Sequence, residues 1–136
     1  MTKIDLSSIG YNSIKADTFN GLTSLQQLYL NANNLVTLEA NLFSNVPNLE
    51  ALYLHNNKLT QIDGAIFKNL YNLKYLWLES NQIVSFDKTT LIGLTKLEKV
   101  CLYNNPIASV FPNLANDLCS TNPKCVVSVT TKCTLI

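Results

Sequence analysis

Large apolar residues recur along the chain at a fixed spacing of 24 residues. One column consists of Ile4, Leu28, Leu52, Leu76 and Val100, and a second, two residues later, consists of Leu6, Leu30, Leu54, Leu78 and Leu102. Two further columns are Tyr11, Leu35, Leu59, Ile83 and Ile107, and Ile14, Leu38, Ile62, Phe86 and Val110. A fixed period of this size is typical of a solenoid, in which each repeat is one turn of the structure.

Within each repeat, apolar and polar positions alternate with a period of two. Leu28 and Leu30 therefore point to one side of a strand and Tyr29 to the other. No single repeat can bury its own leucines, so neighbouring turns must stack to close a core. The pattern predicts an α/β solenoid with a curved parallel sheet on the concave face and loops with short helical or 3-10 turns on the convex face.

Three segments, LQQLYLNANNL, LEALYLHNNKL and LKYLWLESNQI, fit the pattern L-x-x-L-x-L-x-x-N-x-L. This motif and a trailing phenylalanine column resemble the 24-residue class of leucine-rich repeats found in Toll-like receptors, Slit and variable lymphocyte receptors. The resemblance covers residues 1–110, which we divide into five repeats. It implies a recognition domain that binds a protein or peptide on its concave face.

A polar column stands where each strand ends: Asn33, Asn57, Asn81 and Asn105. A buried amide at this place can hydrogen-bond backbone groups of adjacent turns that would otherwise lack partners. We therefore interpret the column as a structural ladder.

Both ends of the chain depart from the repeat. The first unit has Ile9 in place of the ladder asparagine, so we expect an uncapped N-terminal edge. Either an upstream cap covers this edge, or chains self-associate through it. After Asn105 the period stops, and residues 111–136 are predicted to form a C-terminal cap. It contains a short predicted helix near Asn113–Leu118 and a β-branched run from Val126 to Thr131. This cap does not match the NPW-x-C-x-C cap of the receptors named above.

Cysteine is confined to the C-terminal part of the chain, at Cys101, Cys119, Cys125 and Cys133. An even, clustered set predicts a disulfide-stapled cap and an extracellular or secreted protein. Pairing of Cys119 with Cys125 and of Cys101 with Cys133 is favoured, and Cys101–Cys125 with Cys119–Cys133 is the rival. The sequence gaps do not fit the C-x₂₋₄-C spacing of zinc sites, so no metal is predicted.

The concave positions are the candidate binding residues because they vary without damage to the core. Three aromatic residues on adjacent turns, Tyr29, Tyr53 and Trp77, would form an exposed ladder that, with its polar flanks, suits a binding hot spot. The predicted ligand-binding residues are Tyr29, Asn31, Tyr53, His55, Tyr75, Trp77, Glu79 and Tyr103. The alternative interpretation is that cross-strand aromatic pairs only stabilise the sheet.

Other functional classes have little support. A formal net charge of +1 gives no field for nucleic acid or anionic membranes, and no apolar stretch is long enough to span a bilayer. His55 and Cys101 should lie two strands apart, beyond the contact that a nucleophile and its base need. Since no catalytic or phosphate-binding motif is present either, we predict no enzyme activity and no cofactor.

The leading hypothesis is therefore a monomeric extracellular module that binds a protein or peptide. One alternative is a structural scaffold that self-associates, which a size measurement would reveal. The other is a cytosolic adaptor, whose four cysteines would all titrate as free thiols.

Overall fold

A computed structural model of the chain describes residues 1–86, 88–107, 126–128 and 133. Every repeat contributes one short strand to the main sheet, with the first apolar residue of the alternating segment at its centre. The strands are three residues long or less, shorter than the alternating segment itself. They are β1 (Lys3–Asp5), β2 (Gln27–Tyr29), β3 (Ala51–Tyr53), β4 (Gln61–Ile62), β5 (Tyr75–Trp77), β6 (Ser85–Phe86), β7 (Lys99–Cys101) and β8 (Val126–Ser128).

The main sheet has six parallel strands in the order β1-β2-β3-β5-β7-β8. From β1 to β7 the register follows the 24-residue period, because each strand pairs with the same position of the next turn. Leu28, for example, lies opposite Leu52, and Leu76 lies opposite Val100. Strand β8 extends the sheet from the predicted cap by placing Val127 beside Val100.

The leucine columns lie on one side of this sheet and form the core. Leu28, Leu52, Leu76 and their partners two residues later have no exposed surface. A phenylalanine column closes the far side of the core, where the rings of Phe43 and Phe67 stack with centroids 6.2 Å apart. Burial of these side chains is the main stabilising term, at about 25 cal/mol per Å² of apolar surface.

The asparagine ladder joins successive turns. The Nδ2 group of Asn57 donates to the carbonyls of Leu54 and Leu30, both at 3.0 Å. Its Oδ1 atom accepts from the N–H of Leu35 at 3.1 Å. The other members of the ladder, Asn33, Asn81 and Asn105, make equivalent bonds. One side chain thus satisfies backbone groups on two turns, which accounts for its fixed place in the repeat.

The residue before each ladder position has a left-handed backbone. Ala32 has a φ of 56° and Asn56 a φ of 55°, and Ser8, Ser80 and Asn104 share this conformation. The turn lets the chain leave the sheet, and asparagine tolerates it better than alanine does.

The convex side is mostly turns. A two-stranded sheet of β4 and β6 and one 3-10 helix, Lys88–Leu91, are its regular elements in the described residues. Within this same part of the chain, no helix has the length and apolar character needed to cross a membrane. The helix predicted near Asn113–Leu118 lies outside the described residues.

Candidate functional site

The concave face carries an aromatic ladder on the side of the sheet opposite the leucine core. The rings of Tyr29 and Tyr53 stack with centroids 4.3 Å apart, and the ring of Trp77 follows at 6.1 Å. Strand pairing sets this spacing, because Tyr29 lies opposite Tyr53 and Tyr53 opposite Trp77. Lys3 Nζ lies 4.7 Å from the centre of the Tyr29 ring, and Lys99 Nζ lies 5.3 Å from that of Trp77. A lysine therefore brackets each end of the ladder in a cation–π contact.

Exposure along this column falls steadily from the N-terminal to the C-terminal turn. Asp5 is exposed and Tyr29 is partly exposed, whereas Tyr53 keeps only 6% of its surface and Trp77 only 1%. The expectation that all three aromatic residues form one exposed stripe is therefore wrong for Tyr53 and Trp77. The alternation of the strand assigned their side of the sheet correctly but carried no information about what covers that side.

The C-terminal half of the concave face, which we call the closed half, is a second apolar cluster. It contains Ala51, Tyr53, Trp77, Cys101 and Cys133, all of which are buried. A disulfide joins Cys101 to Cys133 across 32 residues of sequence, with Cα atoms 6.1 Å apart. The bond holds Cys133 beside the sheet and matches the pairing that the sequence favours for Cys101. The predicted partners Cys119 and Cys125 lie outside the described residues.

The N-terminal half, which we call the open half, remains accessible. Its members are Lys3, Asp5, Gln27, Tyr29 and Asn31, which are exposed or partly exposed. Asp5 Oδ1 accepts hydrogen bonds from the hydroxyl and the backbone N–H of Ser7, and these bonds lower the pKa of the Asp5 carboxyl. The open half thus offers an ionised carboxylate, a lysine and an amphipathic ring on two adjacent strands, β1 and β2.

Several half-buried side chains beside the ladder differ in whether their polar atoms have hydrogen-bond partners. Tyr75 donates its hydroxyl to Glu98 Oε2 at 2.9 Å, which raises the pKa of Tyr75. Two atoms of the column on the other side, Asn31 Oδ1 and His55 Nδ1, are buried and have no hydrogen-bond partner. Burial also lowers the pKa of His55, so that the imidazole is neutral at physiological pH. Unmet hydrogen bonds of this kind are uncommon in folded proteins.

Burial has a parallel effect on the ladder itself. It raises the pKa of Tyr53 to about 12, with the neighbouring Tyr29 ring adding to the shift. The Tyr53 phenol therefore stays protonated over the physiological range and acts as part of the apolar floor.

The repeat unit decides the family. The profile of the leucine rich repeat family matches residues 1–59 and 47–107, which is most of the chain. This protein is a leucine-rich repeat protein. The assignment confirms the solenoid fold that the 24-residue period predicts.

Among solved structures, this leucine-rich repeat protein is similar to a leucine-rich repeat protein of Leptospira interrogans. The two share 28% sequence identity with a TM-score of 0.78. The match covers 92% of this chain but only 30% of the other, so this chain spans under a third of that protein's length. No curated protein matches the chain.

Leucine-rich repeat domains commonly serve as protein-interaction modules and are generally not enzymes, and the concave face contains no catalytic arrangement among the described residues. His55 follows β3 while Cys101 ends β7, with β5 between them. The Cys101 sulfur is bonded to Cys133 and is not a free nucleophile. No hydrogen bond joins His55 to Glu79 in the described part of the chain.

Four residues outside the predicted ligand-binding set also shape this face. Lys3 and Lys99 bracket the ladder, Gln27 extends the open half, and Ala51 forms part of the closed half. All four lie in one column, two positions before the aromatic column, so their spacing was a usable signal. Of the predicted residues, Tyr29 and Asn31 lie in the open half. Tyr53 and Trp77 lie in the closed half, which His55, Tyr75, Glu79 and Tyr103 border as half-buried residues.

Proposed function

We propose that the protein binds a protein or peptide partner on the concave sheet, and that the open half makes the first contact. The observation that carries this proposal is Tyr29. Its ring is partly exposed, rests against Tyr53 at 4.3 Å and is held by Lys3. A rigid aromatic side chain beside charged and amide groups provides a large contact area at a small cost in conformational entropy.

Two polar atoms beside the ladder have no hydrogen-bond partner. They are Asn31 Oδ1 and His55 Nδ1, which lie on adjacent turns. A buried polar atom without a partner costs about 1–3 kcal/mol. A partner could recover that free energy only if the side chain turns so that the atom reaches the interface, because both atoms are enclosed in the unbound chain.

Site-specific photo-crosslinking tests the proposal. A benzophenone amino acid at Gln27, in the open half, should capture a partner from the native source. The same group at Tyr71, which is 58% exposed and lies in the turn before β5, should not. The captured protein is then purified for binding measurements.

Binding by the purified partner provides the quantitative test. Tyr29→Ala should weaken it by about thirtyfold, which corresponds to a hot-spot loss of about 2 kcal/mol, and Tyr71→Ala should leave it unchanged within twofold. Capture through Tyr71 alone, or full affinity of Tyr29→Ala, would refute the assignment of the open half.

We also propose an oxidising, extracytoplasmic location. The disulfide between Cys101 and Cys133 supports it, because structural disulfides persist mainly outside the reducing cytosol. The protein is taken from its native source and denatured without a reductant or a thiol-blocking reagent. Thiol titration should then find at most two free thiols per chain. Four thiols would place the chain in a reducing compartment instead.

A further inference from the structure

The closed half brings a carboxylate to the disulfide. The ligand atoms of Glu79, Cys101 and Cys133 all lie within 4.8 Å of one another. Glu79 Oε2 lies 3.9 Å from Cys101 Sγ. The two side chains come from adjacent turns, because Glu79 follows β5 and Cys101 ends β7, which pairs with it. These three groups are distant in sequence, so the spacing rule for zinc ligands did not detect them.

The disulfide does not explain why the Glu79 carboxylate lies next to it. A disulfide sulfur has no hydrogen to donate, and among the described residues Glu79 forms no salt bridge and no other side-chain hydrogen bond. Cys101 is fully buried and Cys133 is 7% exposed, so the carboxylate borders a poorly solvated site. The Glu79 carboxylate is therefore available as a ligand beside the two sulfurs.

Two thiolates and a carboxylate form a ligand set that suits Zn²⁺. Bonds of about 2.3 Å to sulfur and about 2.0–2.2 Å to oxygen place the ligand atoms of a tetrahedron roughly 3.5–3.8 Å apart. The contact between Glu79 and Cys101 is already close to this separation. The two sulfurs reach it by moving apart once the bond between them is broken.

We propose that, when the disulfide is reduced, Glu79, Cys101 and Cys133 bind one Zn²⁺ ion with water as the fourth ligand. A dithiol reductant transfers two electrons and two protons to the cysteine pair, the sulfur–sulfur bond breaks, and the reductant closes to its own disulfide. Zn²⁺ then displaces the two thiol protons, while the Glu79 carboxylate binds in its ionised form. Cys101 and Cys133 can therefore be linked in two alternative ways, by the disulfide when oxidised and by Zn²⁺ when reduced. This inference does not depend on the proposed function.

Cobalt titration of the full chain tests the site, since Co²⁺ takes the same ligands and is coloured. The background carries Cys119→Ser and Cys125→Ser, so that Cys101 and Cys133 are the only cysteines. The protein is reduced with a phosphine, which is removed under argon before the metal is added. We expect one Co²⁺ per chain, a thiolate-to-metal charge-transfer band and displacement of Co²⁺ by Zn²⁺. The oxidised sample should show no band.

Two matched carboxylate variants identify the third ligand. Glu79→Gln should weaken metal binding by about tenfold or more, since even loss of a partner that orients a ligand has this effect. Asp5→Asn removes a carboxylate from the far end of the same face and should leave the Co²⁺ affinity unchanged. A folded, reduced chain without the band, or Glu79→Gln with the parent affinity, would overturn the proposal. If the serine background does not fold, the same comparison in the reduced parent chain decides it.

Discussion

The two halves of the concave face are built from the same repeat, but equivalent positions in the aromatic column differ in how far they are exposed to solvent. In the open half, Tyr29 stands on the sheet with part of its ring in solvent. In the closed half, Trp77 occupies the equivalent position two turns later and is 1% exposed. At the closed end, the disulfide of Cys101 holds Cys133 in the same buried cluster as Trp77. One column of the solenoid is thus accessible at one end of the concave face and buried at the other.

The largest contrast should appear when each half loses its aromatic side chain. Trp77→Ala should lower the free energy of unfolding by about 3–5 kcal/mol, as buried tryptophan truncations do. Tyr29→Ala should lower it by only about 0.5–1.5 kcal/mol, mainly through the stacking contact with Tyr53. Urea denaturation of both variants measures the contrast. Equal losses would show that the two halves are not distinct.

The disulfide should provide the next largest effect. In a chain with Cys119→Ser and Cys125→Ser, reduction of the remaining bond in the presence of a chelator should lower the free energy of unfolding by about 2–4 kcal/mol. The emission of Trp77, the one tryptophan of the chain, should shift to the red as the closed half loosens. An unchanged melting temperature together with unchanged emission would mean that something other than this bond closes the C-terminal half.

These contrasts mark the limit of what the sequence could predict. The period of 24 and the alternation within each strand were sufficient for the core, the parallel register and the side on which Trp77 lies. They could not reveal that Trp77 is buried, because alternation assigns a side of the sheet and carries no information on what packs against that side. In the structure, Trp77 lies in a buried cluster with Cys133. The proximity of Glu79 to the cysteines was hidden for the same reason. Strands β4 and β6 were also missed, because two residues are too few to show a period.

A smaller effect should come from the turn that leaves the open half. Ala32 has a left-handed backbone with a φ of 56°, while Asn56 has the same conformation on the next turn. Because asparagine tolerates this conformation, Ala32→Asn should raise the free energy of unfolding by about 0.5–1 kcal/mol. The reciprocal change, Asn56→Ala, should lower it by a similar amount. Thermal denaturation of both variants measures the two changes in stability. Changes of the same sign would contradict this account of the turn.

The weakest effect concerns pH at the boundary between the halves. Burial lowers the pKa of His55 below its ordinary 6.5, so the unfolded chain binds the proton more tightly. Stability is therefore fully present above about pH 6.5 and decreases as the pH falls below it. His55→Gln should flatten this dependence, as measured by urea denaturation over a series of pH values. An equally steep decline in the variant would assign the dependence to other groups.

Acrylamide quenching of Trp77 fluorescence tests the division of the concave face most directly, because the chain contains a single tryptophan. In the folded, oxidised protein we predict blue-shifted emission and a quenching constant several-fold lower than in the urea-unfolded chain. That result would place the indole beneath a cover, as its 1% exposure requires. Quenching of the folded protein as efficient as that of the unfolded chain would show that Trp77 is open to solvent and would contradict the closed half.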